Sequence, residues 1–215
     1  MIPRSGISTP ELLKRFTTHE ERGFKPAIVF AGGELVDGVG GGICQVSSNI
    51  YAAVLRTDLL VNEYRNHTYS VSYVPLGEDA TVVYGSQDFC FINTYEYPVK
   101  LEVTYGDGTM TVRILGTQTK PMEEVPVVEI ENQTLSKTPF KTVYKLDTTL
   151  APGTQKVKNN GFSGYVVDTF RIEKDPLTGE ELKREYIGRR RYAVMNKTIL
   201  YNPIDPNNDP HAVQP

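Results

Sequence analysis

The chain has 215 residues, of which 39% are hydrophobic, and a formal charge of −3. That is enough for one large domain or two small ones with a packed core, and too mild a charge to mark nucleic acid or an acidic membrane as the partner. No apolar run is long enough to cross a bilayer, and the opening MIPRSGISTPELLKRF lacks the apolar core of a signal peptide. Two cysteines, Cys44 and Cys90, are too few for a disulfide scaffold, and His19, His67 and His211 complete no convincing zinc ligand set, so no metal or cofactor is expected.

Taken in chain order, residues 10–22 (PELLKRFTTHEER) predict a short polar helix with proline at its first position. Residues 25–30 (KPAIVF) read as a strand, and residues 34–36 as its antiparallel return after Gly32-Gly33. The stretch GVGGGICQVSSNIYAAVL places four glycines in five residues ahead of Cys44, then apolar residues at Val46, Ile50, Ala53 and Val54. That spacing predicts a largely buried helix starting at Cys44, entered through backbone that only glycine adopts easily. Residues 67–74 (HTYSVSYV) alternate like a strand, residues 80–84 (ATVVY) like another, and residues 89–92 and 99–105 like two more. Asp107-Gly108 is a hairpin signal, with residues 109–115 as the return strand.

Residues 117–126 (TQTKPMEEVP) read as a linker between a first domain over 1–116 and a small all-β module over 127–203, where Asp175 to Gly179 marks another hairpin turn. Residues 204–215 are rich in proline and asparagine and are expected to be a disordered tail. The fold class predicted is α+β: a helix packed on an antiparallel sheet, a catalytic-type cysteine at the helix N-terminus, then the β module.

The glycines alone carry little. Ile43 stands where a dinucleotide-binding fingerprint needs its third glycine, and no Gly-Lys-Ser/Thr follows for a phosphate loop. The cysteine adds more, because a thiol at a helix start meets unsatisfied N–H groups and the positive end of the dipole, which favour thiolate and could hold an oxyanion. Such a nucleophile wants an imidazole base and a group to orient it. His67 and then Asp79, with Asp88 second, fit from spacing, the first two brought together by antiparallel strands. Arg65, Tyr69 and Tyr73 could bind a carboxylate or line a groove; the alternative is plain surface strand positions. A structural cysteine and a surface histidine are the competing readings for Cys44 and His67.

Gly40-Gly41-Gly42-Ile43-Cys44-Gln45-Val46-Ser47, Tyr51, His67, residues 71–75 (VSYVP), Gly77, residues 79–82 (DATV) and Tyr84-Gly85, with Asp88 and Asn93 beyond, resemble the VanW domain over about residues 22–116. Leu150, Gly153, Lys156-Val157, Gly161, Gly164, Tyr165 and Tyr192 are similar, more loosely, to a G-five-type β module. The Pro-Gly-Glu-x-Phe-Ser-Phe segment that usually opens a VanW domain is absent, so the first domain is expected to be N-terminally short. The resemblance implies an extracytoplasmic, wall- or membrane-associated protein of Gram-positive-type bacteria, in a context linked to vancomycin resistance. It further implies an L,D-transpeptidase forming 3-3 peptidoglycan cross-links, with Cys44 as nucleophile and His67 as base. Gly42, Gln45, Ser47, Arg65 and Tyr73 are expected to contact substrate, and peptidoglycan stem peptides and wall glycan are the expected partners. The alternatives are a Cys–His endopeptidase and a non-catalytic wall-binding protein.

Overall fold

The computed structural model describes residues 7–8, 26–31, 34–39, 42–83, 86–205 and 211. The helix predicted over 10–22 lies outside the described residues, as does most of the tail. The first domain opens with β1 (Ile7–Ser8) and an antiparallel pair, β2 (Pro26–Ala31) and β3 (Glu34–Val39). Helix α1 (Ile43–Val54) follows, then β4 (Leu60–Glu63), β5 (Cys90–Ile92), β6 (Lys100–Gly106) and β7 (Thr109–Leu115). β5 lies between β1 and β4, and β6 pairs with β7. The predicted turn joins this last pair: Asp107 and Gly108 have φ of 51° and 74°, the two consecutive positive values of a turn whose twist matches its strands.

The second domain follows a 3-10 turn over Met122–Glu124. Its strands are β8 (Val127–Thr138), β9 (Thr142–Leu146), β10 (Gln155–Asn159), β11 (Gly164–Lys174), β12 (Glu181–Tyr192) and β13 (Lys197–Tyr201). β11 is the middle of an antiparallel sheet with β8 and β12, and β13 joins β10 antiparallel and β9 parallel. Of the tail, His211 stacks on Tyr144 with ring centroids 3.6 Å apart.

The main core lies under α1. Ile50, Tyr51, Val54, Leu55, Leu59, Ala80, Val82, Phe89, Phe91 and Val99 form one buried cluster. Tyr51 stacks on Tyr64 at 4.2 Å and meets the edge of Phe89 at 5.5 Å. Each large apolar side chain withdrawn from water here stabilises the fold by about 1.5–3 kcal/mol.

This architecture overturns the expected α+β class. The chain is mostly β, α1 is the one α-helix among the described residues, and no continuous antiparallel sheet lies beneath it. The helix rests on the return strand β7 and on coil that passes through Ala80 and Val82. The strands predicted over 67–74 and 80–84 do not form; between β4 and β5 the described backbone is irregular apart from one bridge, Val83 to Gln87. The alternation there is real, but the polar backbone groups are satisfied elsewhere. The N–H of His67 goes to the Asp79 carboxylate, that of Ala80 to the Ser48 hydroxyl, and that of Gly77 to the Tyr192 hydroxyl. Each donor taken by a side chain is one lost to a ladder.

Candidate active site around Cys44

Helix α1 begins after Gly42, whose φ of 99° turns the chain into the helix without a side-chain cap. The N–H groups of Gln45 and Val46 both close on the Gly42 carbonyl, at 3.0 and 3.1 Å. The N–H groups of Ile43 and Cys44 precede that ladder and, at a helix start, have no partner within the helix. The Cys44 side chain is half-buried. Its sulfur lies 3.7 Å from Thr81 Oγ1 and can donate to the Val82 carbonyl at 3.4 Å.

His67 is carried by the irregular segment and is locked from one side. Asp79 Oδ2 accepts both the His67 backbone N–H and its Nδ1–H, each at 2.7 Å. That fixes the tautomer and leaves Nε2 free of Asp79, with the Cys44 thiol close enough to raise the ring's pKa. Tyr73 Oη also sits 3.3 Å from Nε2. Asp79 is only 1% exposed, so its carboxylate oxygens depend on protein donors rather than on water.

The electrostatics bind the pair together. Burial pushes the Cys44 thiol up, but the neighbouring His67 ring, followed by the Val82 backbone and Thr81, outweighs it and holds the thiol below its ordinary value. Burial pushes the His67 imidazolium down, yet the hydrogen bond to Asp79, the neighbouring Cys44 and the Asp79 charge raise it to about 9. Both shifts favour the same state, thiolate beside imidazolium. A thiolate with an oriented imidazole, at a helix start whose first N–H groups have no partner within the helix, is equipped for nucleophilic attack on a carbonyl.

The structure thus brings Cys44, His67, Asp79 and Tyr73 into one cluster, with Gly42 exposed at its edge and Gln45 half-buried on the helix's first turn. Ser47 is 3% exposed, and its hydroxyl donates to the Cys44 carbonyl at 3.1 Å and to the Ala80 carbonyl at 2.6 Å, which ties α1 to the coil. Arg65 is exposed, and its carbonyl accepts from the Thr81 N–H. Asp88 accepts from the Cys90 thiol at 3.4 Å and takes no part beside His67. Among the described residues, Glu63, Asp88 and Cys90 bring possible metal-ligand atoms within 4.8 Å of one another, but they amount to an exposed carboxylate beside that thiol–Asp88 contact.

Sequence reasoning missed three neighbours. Ser48, fully buried, donates to the Cys44 carbonyl at 2.6 Å and accepts from the Ala80 N–H at 3.0 Å. Thr81 approaches the sulfur from within the stretch read as a strand. Tyr192 of β12 donates to Asp79 Oδ1 from the second domain; at 113 positions' separation no local pattern announces it.

Residues 6–115 match the family described as VanW like protein, and residues 128–201 match the G5 domain. The chain is 45% identical over 93 residues to the uncharacterized protein YoaR of Bacillus subtilis (strain 168), covering 43% of this chain and 31% of YoaR. It is 28% identical over 132 residues to surface protein G of Staphylococcus aureus (strain NCTC 8325 / PS 47), covering 60% of this chain but 8% of that protein. The chain therefore spans less than a third of either relative. Among solved structures, an IgA1 protease G5 domain matches 37% of this chain and 94% of its own length at 25% identity, with a TM-score of 0.25. VanW and G5 domains are typical of extracellular, cell-wall-associated proteins, and no helix among the described residues is long and apolar enough to cross a membrane. With the VanW match spanning residues 6–115 of 215, the chain belongs to the VanW-like family and carries a G5 domain behind the VanW domain.

Proposed function

We propose that this cell-wall-associated protein acts on peptidoglycan stem peptides by acyl transfer through Cys44. The observation that carries the reading is the Cys44 thiol facing an imidazole that Asp79 grips at Nδ1, with the thiol held low and the imidazole raised to about 9. The Cys44 thiolate attacks a stem-peptide carbonyl carbon, and the N–H groups at the start of α1 hold the resulting oxyanion. The amide C–N bond then breaks as the His67 imidazolium gives its Nε2 proton to the departing amine, leaving a thioester. An acceptor amine loses a proton to His67 and takes the acyl group, which returns the thiolate and imidazolium. In its most concrete form the reaction makes 3-3 cross-links. If water replaces the acceptor amine, the same site is an endopeptidase.

A second reading is supported by the domain content: a wall-binding protein without turnover, for which the G5 domain and the likeness to a surface protein speak. Incubating the protein with disaccharide-peptides, with and without an acceptor peptide, and analysing products by mass spectrometry separates the three. Cross-linked product lost in Cys44→Ala supports the transferase, and acceptor-independent cleavage supports the hydrolase. Equal product patterns for wild type and Cys44→Ala, together with co-sedimentation with purified walls, leave the binding protein. In either catalytic case Asp79→Asn lowers turnover about a hundredfold or more, the scale of a disabled general acid–base.

A further inference from the structure

We infer that Tyr192, a residue of the G5 domain, is a positioning residue of the Cys44 site, so that the second domain completes that site as well as following it in the chain; the inference rests on the reading of Cys44, His67 and Asp79 as the reactive centre. Asp79 Oδ2 is committed to the two donors of His67, and Oδ1 receives the Tyr192 hydroxyl. The same hydroxyl accepts the Gly77 N–H at 2.8 Å. One phenol therefore grips the loop at its backbone and at its carboxylate. Tyr192 is 4% exposed and Asp79 1% exposed, so no water replaces either contact cheaply.

The surrounding contacts leave the loop little freedom to do without this grip. A side chain at Gly77, where φ is +98°, would come within 2.4 Å of Asn132 Oδ1 and of Thr169 Oγ1, so the loop lies flat against β8 and β11. Glu78 accepts from Asn132 at 3.0 Å, and Thr68 accepts the Ala193 N–H at 2.7 Å. The end of β12 thus runs along the segment that carries His67 and Asp79. That segment has no ladder of its own, and the second domain supplies its template.

The test is Tyr192→Phe in the full chain, which keeps the ring and removes the hydroxyl. Iodoacetamide alkylation of Cys44 is followed by peptide mass spectrometry across pH, an assay that needs no substrate. The expected result is a profile moved to higher pH by half a unit or more, with alkylation at pH 7 slowed at least threefold, because a loosened Asp79 no longer holds the imidazole against the thiol. Asp58→Asn cuts an ion pair between the domains, with Arg171 at 2.8 Å, without touching Asp79; it should keep the wild-type profile. A purely structural role for Tyr192 predicts a lower melting temperature with an unmoved profile. That result, or a thiol made more reactive, overturns the inference. His67→Ala runs beside it: if it too leaves Cys44 unchanged, the reactive-centre reading fails, whereas a shift in His67→Ala with none in Tyr192→Phe removes only the role of Tyr192.

Discussion

The two cysteines occupy opposite environments. Cys90 is 9% exposed on β5, its thiol donating to Asp88 Oδ2. Cys44 is half-buried beside an imidazole raised to about 9. Iodoacetamide near neutral pH should therefore modify Cys44 first and Cys90 only after denaturation, as peptide mapping over time would record; equal rates would contradict the assignment. The signs of the two shifts define a window. A lowered thiol pKa means that the thiolate is lost as pH falls through that lowered value. A raised imidazole pKa means that the stability the imidazolium contributes is complete below about 6.5 and lost as pH rises through about 9. The ion pair, with the stability it contributes, is thus populated between the two. Alkylation should show two steps, one below the thiol's ordinary pKa and one near 9. His67→Ala should merge them into one step at higher pH and slow the reaction at pH 7 about tenfold or more, since each unit of thiol pKa is a factor of ten in thiolate.

At the scale of elements, α1 and the coil beside it depend on each other. The sequence made the helix legible, because glycine entry, apolar spacing and length all agree. It made the coil illegible, because alternation over 67–74 satisfies a strand pattern while the hydrogen bonds on its backbone go to Asp79 and, far along the chain, to Ala193. Spacing predicts His67 and Asp79 as neighbours through paired strands; they do meet, at 2.7 Å, but across irregular backbone. Two substitutions test the element. Ser48→Ala leaves the Ala80 N–H without its acceptor in a fully buried place, and should lower unfolding free energy by about 1–3 kcal/mol in urea titration. Gly42→Ala meets no atom within 4 Å, so its cost is backbone strain alone, about 1–2 kcal/mol at a positive φ. Relief of that strain would rotate the first turn, so slower Cys44 alkylation should accompany the loss of stability. A stability loss with unchanged alkylation would mean that the first turn keeps its geometry despite the strain.

At the scale of the molecule, the sequence suggests a linker over 117–126 between separable halves, and composition offers nothing against that. The contacts across the halves are of another kind. Arg190 of β12 donates to the buried Tyr51 hydroxyl at 2.9 Å, and its guanidinium lies 4.6 Å from the Tyr64 ring centroid, inside the core under α1. Burial opposes the Arg190 charge, but the Tyr51 and Tyr64 hydroxyls outweigh it, so the cation is retained. A cation placed by one domain inside the hydrophobic cluster of the other is costly to expose on one side and to leave unfilled on the other. The two domains should therefore unfold as one cooperative unit. Residue-resolved hydrogen exchange checks this directly: amides in the middle of α1 and of β11 should report the same opening free energy and fall together in denaturant. Arg190→Ala should lower both by about 2–4 kcal/mol, from the lost charged hydrogen bond and the lost contact with the ring. If β11 keeps its protection while α1 loses its own, the second domain folds independently, and the interface is a docking surface rather than a shared core.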